Sequence, residues 1–238
     1  MGAMPHSSSA PAAGFTPTER ALVYRLLAAR RDIREFRPDP VPPAVLRRIL
    51  VAAHQAPSVG LMQPWSFIVL TDRPVRQQIK SLFEATNQTE AARLDPAPRA
   101  ALYRRLKLEG ILEAPLNLAV TCDHRRGAPF VLGRGPVPAT DRDSTCLAIE
   151  NLWLAARAEG VGVGWVSILD YGAVERLLGV PAGVELIAYL CVGYPREFRE
   201  IPMLEEVGWS ARLPLEEVIH AERWGAPANL VVDPAESD

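Results

Sequence analysis

Three arginines surround one carboxylate near the start of the chain, in the stretch ARRDIREFRPDPV. Arg30, Arg31 and Arg34 are suited to binding a phosphate, because the planar guanidinium group matches the phosphate oxygens. Asp32 would repel a phosphate, so it either pairs with the neighbouring arginines or has another task. The alternative interpretation is a solvent-exposed helix end with interleaved charges, and the residues alone leave both open.

A second group of polar side chains occurs in the stretch APSVGLMQPWSF, which ends in a run of β-forming residues. It offers the hydroxyl of Ser58, the amide of Gln63 and the ring of Trp65 on one loop. This combination suits the binding of a flat polar ligand. The alternative is an ordinary turn between a helix and a strand, with Trp65 covering the core.

A glycine-rich run, GVGVGWVSIL, follows a predicted helix and opens a predicted strand. A dinucleotide fingerprint has the opposite context, after a strand and before a helix, so that interpretation is excluded. The glycines are expected to allow close approach of the backbone to a flat group. Ser167 is expected on this strand, where a single serine is more commonly structural than functional.

Composition restricts the classes of function. The chain has 238 residues, of which 48% are hydrophobic and 23% charged, and its formal net charge is −2. This charge gives no general attraction to nucleic acid or to an anionic membrane. No stretch approaches the roughly 20 apolar residues of a membrane span. We therefore expect a globular protein that binds neither.

The cysteines and histidines predict neither a disulfide framework nor a metal site. Cys122, Cys146 and Cys191 are widely spaced without a CxxC pair, and the four histidines do not cluster. We expect the cysteines to be small buried residues in a reduced, cytoplasmic protein.

The elements that must position these groups alternate between helix and strand, with more helices than strands. Helices are predicted from Thr16 and over 42–56, 75–85, 144–160 and 171–180, and strands over 65–72, 116–123, 161–169 and 184–195. We expect an α+β sandwich with a central mixed or antiparallel sheet flanked by helices. Residues 1–15 are predicted to be a disordered arm, and residues 16–238 are predicted to form a single domain. Within that domain, we expect a lid excursion at about 86–110 and, at about 208–238, an extension that wraps around a partner subunit.

Taken together, the motifs resemble those of the FMN-dependent nitroreductase family. Its members typically show an Arg-Arg-Ser-x-Arg, a Pro-Ser-Ser-x-Asn-x-Gln-Pro-Trp loop, a long central helix before a glycine-rich strand, and a terminal Arg-x-Pro-Leu-Glu-Glu. The corresponding segments here are 30–34, 57–65, 144–165 and 212–217, in the same order. The resemblance covers about residues 20–224 and implies the family's fold.

Two departures from the family pattern point to one branch of it. Asp32 stands where the family usually has Ser, and Leu61 stands where it usually has an Asn that hydrogen-bonds the flavin ring. Both changes, with the stretches KLEGI, GVGWVS and GYPREF, are similar to the branch that forms 5,6-dimethylbenzimidazole, the flavin destructases. That resemblance implies cleavage of reduced FMN by O2, with D-erythrose 4-phosphate as the second product and cobalamin as the destination of the first.

The resemblance also implies roles for particular residues around FMN. Phosphate contacts are implied for Arg30, Arg34 and Arg212, with help from Arg31. Ser58 and Gln63 are implied to bind the ring or the ribityl oxygens, Leu61 to form one apolar wall, and Leu108 to cover the other side, from the same or a second subunit. The resemblance therefore implies a homodimer that binds FMN and contains no metal.

Chemistry is implied for two residues. Asp32 would be the general base that moves protons between the ribityl chain and the ring, and Ser167 would hold or relay a proton near the flavin. Reduced FMN is then the substrate, O2 the co-substrate, and a separate flavin reductase the source of electrons. The alternatives are an NAD(P)H-dependent nitroreductase-type oxidoreductase that retains FMN, and a non-catalytic flavin-binding protein.

Overall fold

The structure, a computed structural model, describes residues 14–94, 99–127 and 129–228. The chain divides into two compact units, Met1–Glu200 and Ile201–Asp238. This division differs from the predicted single domain, and it falls before the predicted start of the extension at about residue 208. Of the predicted arm 1–15, all but Gly14 and Phe15 lies outside the described residues, as do residues 95–98 of the predicted lid.

The first unit contains ten helices and strands among its described residues. They are α1 (Pro17–Ala29), α2 (Pro43–His54), β1 (Trp65–Leu70), α3 (Arg73–Arg93), α4 (Ala100–Tyr103), β2 (Leu116–Asp123), α5 (Thr140–Ala158), β3 (Gly162–Trp165), α6 (Tyr171–Leu178) and β4 (Val184–Gly193). The second unit has a short helix, α7 (Met203–Glu206), and a 3₁₀ turn, Leu215–Glu217.

The four strands form one antiparallel sheet in the order β1-β2-β4-β3. Side chains alternate between its faces, as the pleat requires. On β2, Leu118 and Val120 pack with residues of α2 and α5, whereas Ala119 packs with residues of α3 and α6. The predicted α+β sandwich is confirmed, with a sheet that is antiparallel rather than mixed.

Three elements differ from their predicted bounds by more than two residues at one end or both. Helix α3 continues to Arg93 instead of ending near residue 85, since no proline or glycine interrupts it before Pro96. Helix α5 begins at Thr140 rather than at residue 144, and Asp141 and Asp143 suit the positive end of the helix dipole in its first turn. Strand β3 ends at Trp165, four residues earlier than predicted.

The glycines of β3 approach the chain itself rather than a flat ligand. The backbone at 32–33 runs beside the outer edge of β3, where the Ile33 N–H donates to the Val163 carbonyl at 2.9 Å. A Cβ on Gly164 would lie 1.9 Å from the Ile33 carbonyl oxygen, so only glycine allows this contact. Gly160 instead follows the end of α5 with a φ of +70°, a left-handed conformation that is common for a glycine at the end of a helix.

Candidate active site

Asp32 is held by the backbone of β3. Its Oδ1 accepts a hydrogen bond from the Trp165 N–H at 2.9 Å, and its Oδ2 pairs with Nη2 of Arg34. Desolvation by the surrounding protein raises the pKa of Asp32, although Arg34, the Trp165 N–H and Arg30 act in the opposite direction. The raised pKa makes the carboxylate a stronger base than that of an ordinary aspartate. Since 38% of the side chain remains exposed, the carboxylate can also reach a bound molecule.

Arg30 and Arg31 have partners within the chain. The guanidinium of Arg30 lies 5.1 Å from the ring centre of Trp153 and 3.9 Å from a carboxylate oxygen of Glu150. Arg31 donates to the carbonyls of Ala28 and Arg30, both at 2.7 Å, and to that of Glu200. Arg31 therefore binds main-chain carbonyls around the end of α1, which the sequence did not predict.

Arg34 fits an anion site best of the three. Its side chain is only 16% exposed. Its Nη2 pairs with Asp32, whereas its buried Nη1 has no hydrogen-bond acceptor among the described residues. A buried guanidinium nitrogen without an acceptor is costly. The residues at this edge of β3 thus suit the phosphate or another oxygen-rich part of FMN.

The loop before β1 has a strained backbone. Gly60, Leu61 and Gln63 all have φ near +50°, and two of the three are not glycine. Ser58 Oγ accepts from the Gln63 N–H at 3.0 Å, which closes the loop on itself. The side chain of Leu61 is 76% exposed. Such strain concentrates at functional sites, and the exposed Leu61 gives the loop an apolar surface.

The remaining predicted residues lie apart from these groups in sequence. Leu108 is half-buried against the core face that contains Ile33. Ser167 is exposed and lies two residues beyond the end of β3, not on the strand as predicted, because the chain leaves the sheet at Val166. Arg212 is exposed and belongs to the second unit.

The two predicted halves of the site lie at opposite edges of the sheet within one chain. The loop at 58–63 leads into edge strand β1, whereas Asp32 lies outside edge strand β3. Three strand spacings separate β1 from β3, and a fourth separates β3 from the backbone of Asp32, about 19 Å in all. Contacts with helix α5 also lie far apart: Ser144 Oγ accepts from the Val59 N–H near the start of the helix, and Trp153 donates to the Arg31 carbonyl nine residues later, or about 14 Å along the axis.

A cluster of titratable residues joins the end of β2 to the start of α5. His124 Nδ1 lies 2.7 Å from Asp141, and its Nε2 lies 3.1 Å from Glu185. Cys122 is within ligand distance of both His124 and Asp141. Arg134 also pairs with Asp141 at 3.0 Å, and burial raises the pKa of the Cys122 thiol to about 11.

Comparison with known proteins identifies the family. The model of the nitroreductase family matches residues 27–194, which include Asp32, the loop at 58–63 and all four strands. The chain belongs to the nitroreductase family.

Two proteins that are similar to this chain share one activity. It is 47% identical over 200 residues to the 5,6-dimethylbenzimidazole synthase of Rhodospirillum rubrum, a match that covers 84% of this chain and 94% of that protein. It is 42% identical over 202 residues to a 5,6-dimethylbenzimidazole synthase of Rhodobacter capsulatus, a match that covers 85% of this chain and 97% of that protein.

A solved structure of the same fold contains a flavin. The crystal structure of oxidized iodotyrosine deiodinase bound to FMN and 3-iodo-L-tyrosine superposes with a TM-score of 0.65, at 26% identity, over 84% of this chain and 98% of that one. In the described part of the chain, no helix has both the length and the apolar character needed to cross a membrane.

Proposed function

We propose that the protein is a 5,6-dimethylbenzimidazole synthase, which cleaves reduced FMN with O2 and releases D-erythrose 4-phosphate. The observation that carries this proposal is the 47% identity to a protein of that activity over nearly all of its length. A separate flavin reductase supplies the reduced FMN, and the protein acts in the cytoplasm.

The residues at the outer edge of β3 support this chemistry over simple hydride transfer. Bound FMN supplies the ring and the ribityl carbons that are broken apart. Asp32, with its raised pKa and partial exposure, is the group that takes a proton. The N–H of Trp165 fixes one oxygen of Asp32, and the other, which pairs with Arg34, would be the oxygen that acts on a bound flavin. Ser167, two residues further along, holds or relays a proton.

We further propose that the active site is completed by a second copy of the chain. One chain cannot bring the loop at 58–63 and Asp32 to the same flavin ring if they lie at opposite edges of its sheet. A two-fold dimer can join the loop of one protomer to the Asp32 edge of its partner and form two equal sites. Wrapping by the extension at 208–238 belongs to the same proposal.

The test of the activity is a product assay. The protein is given chemically reduced FMN under air, and 5,6-dimethylbenzimidazole is sought by mass spectrometry, with the protein omitted as control. Formation of the product at catalytic rates is expected. If the protein instead retains FMN, oxidises NAD(P)H with a nitroaromatic substrate and makes no benzimidazole, it is a nitroreductase-type oxidoreductase. Return of intact FMN with neither activity would leave a flavin-binding protein.

The test of the shared site is complementation between two variants of strongly reduced activity. Asp32→Asn and Gln63→Ala are co-expressed with different affinity tags. If each site takes Asp32 from one chain and Gln63 from the other, half of the dimers are mixed and each has one natural site, so about a quarter of the parent activity returns. Purified mixed dimers without activity, or a monomeric mass of 26.1 kDa for the active species, would refute the shared site.

A further inference from the structure

The segment after β2 contacts the loop before β1, mainly through Arg126. One guanidinium nitrogen, Nη1, donates to the carbonyls of Gln63 at 2.5 Å and of Trp65 at 2.7 Å. The other, Nη2, donates to Ser66 Oγ at 2.9 Å. One half-buried side chain thus fixes the backbone at the point where the loop enters β1.

The backbone that Arg126 binds is the strained part of the loop. Gln63 has a φ of +49° and Leu61 a φ of +53°. A residue other than glycine pays roughly 1–2 kcal/mol for this left-handed conformation, so surrounding contacts must maintain it. The same segment closes over the loop at a second point, since a Cβ on Gly60 would lie 2.8 Å from the backbone of Leu132.

We propose that Arg126 is a positioning residue for the reaction. By binding the Gln63 carbonyl, Arg126 keeps this residue left-handed and so directs its side-chain amide toward the flavin. The inference rests on the proposed function, since it takes Gln63 to be a flavin contact. A purely structural Arg126 would affect stability without changing the surroundings of the flavin ring.

The primary test compares Arg126→Met and Arg126→Lys with a matched control. Arg125→Met is that control, because Arg125 is the adjacent residue, is 57% exposed and pairs with Asp123 rather than with the loop. Four quantities are measured: the visible spectrum of bound oxidised FMN, FMN affinity, 5,6-dimethylbenzimidazole yield and melting temperature.

Arg126→Met should shift the flavin spectrum and lower product formation about 10²-fold, the cost of misplacing a positioning group by about 1 Å. Arg126→Lys, with a single ammonium group, should give an intermediate effect, and Arg125→Met should match the parent. A lower melting temperature in Arg126→Met with unchanged spectrum and yield would overturn the proposal. If Arg126→Met does not fold, Arg126→Lys is compared with the parent instead. A changed flavin spectrum and a lower yield then support the proposal, and an unchanged spectrum and yield overturn it.

A double-mutant cycle with Gln63→Ala tests the route of the effect. If Arg126 acts through the Gln63 side chain, adding Arg126→Met to Gln63→Ala should cause no further change in spectrum or yield. A second, full 10²-fold loss would mean that Arg126 acts elsewhere. If the parent protein makes no benzimidazole, the proposed activity fails, whereas the spectrum and affinity of bound FMN still decide the role of Arg126.

Discussion

Replacing Asp32 by asparagine separates a catalytic role from charge balance. The amide oxygen of an asparagine can still accept from the Trp165 N–H, but the variant loses the negative charge that faces Arg34. The pKa of Asp32 is raised because desolvation outweighs the attraction of the carboxylate to Arg34 and Arg30. Replacing the charge by a neutral amide should therefore leave the stability at neutral pH unchanged or slightly higher, and the melting temperature at or slightly above that of the parent.

The expected effect on the reaction is much larger. General-base catalysis contributes about 10²–10⁴-fold, or about 2.7–5.5 kcal/mol of activation free energy. Asp32→Asn should therefore bind reduced FMN and consume O2, yet return oxidised FMN with at least about 10²-fold less 5,6-dimethylbenzimidazole. In the parent, product formation should rise with pH through a pKa above that of an ordinary aspartate, because only the carboxylate form accepts a proton and desolvation raises its pKa.

The assay combines mass spectrometry of the product, FMN fluorescence for binding and thermal melting. Asp39→Asn is the matched control, since Asp39 is an exposed acid in the same segment, 3.4 Å from Arg37, and is expected to keep the parent rate. An Asp32→Asn variant that forms the product near the parent rate would refute the reasoning and leave Asp32 as the counter-charge of Arg34.

Four further predictions follow from the remaining residues. Arg212→Ala should weaken FMN binding by about 1.5–3 kcal/mol in titrations but leave the binding of riboflavin, which lacks the phosphate, unchanged. The control Arg223→Ala should change the binding of neither flavin. Ser167→Gly should divert the reaction to oxidised FMN, which the same product assay detects, and an unchanged yield would remove Ser167 from the mechanism. The hydrogen bond with the Asp141 carboxylate raises the pKa of His124, so its stabilising effect is full below about pH 6.5 and disappears as pH rises through the higher folded-state pKa. The loss of melting temperature in His124→Gln should thus be larger near pH 6 than near pH 9, and equal losses would contradict this. Gly164→Ala should abolish product formation, because its Cβ would lie 1.9 Å from the Ile33 carbonyl; parent activity in this variant would show that the 32–33 segment need not contact β3.

Much of the fold could be predicted because its strands are locally distinct. Strand β2 has the predicted bounds, since it is an almost fully buried apolar run that begins directly after Pro115. Strand β3 was predicted too long because Val166 and Leu169 are also apolar and buried. Val166 still donates a backbone hydrogen bond to the Tyr189 carbonyl of β4 at 2.8 Å, whereas Leu169 lies beyond the strand and packs in the core. Hydrophobic pattern alone does not distinguish a paired residue from one that only packs.

The sequence motifs name candidate site residues, but they do not give the partners that those residues have in the structure. The motifs pointed to Asp32 and to the loop at 58–63, yet the hydrogen bond from Trp165 to Asp32 joins positions 133 residues apart. Arg126 carried no recognisable signal, because its three acceptors are two main-chain carbonyls and one serine hydroxyl. The segment between β2 and α5 contains several arginines, and the sequence does not indicate which of them donates to main-chain carbonyls.

The placement of Asp32 explains why an acid stands among arginines. If its only task were to neutralise them, any geometry near Arg34 would serve, and the close approach to β3 that Gly164 permits would have no purpose. Instead, a main-chain N–H of β3 fixes one carboxylate oxygen at 2.9 Å, and desolvation raises the pKa of the acid in the presence of two neighbouring cations. Charge balance alone favours a fully ionised, freely hydrated carboxylate. A fixed, partly desolvated carboxylate suits the proton transfer that we propose for Asp32.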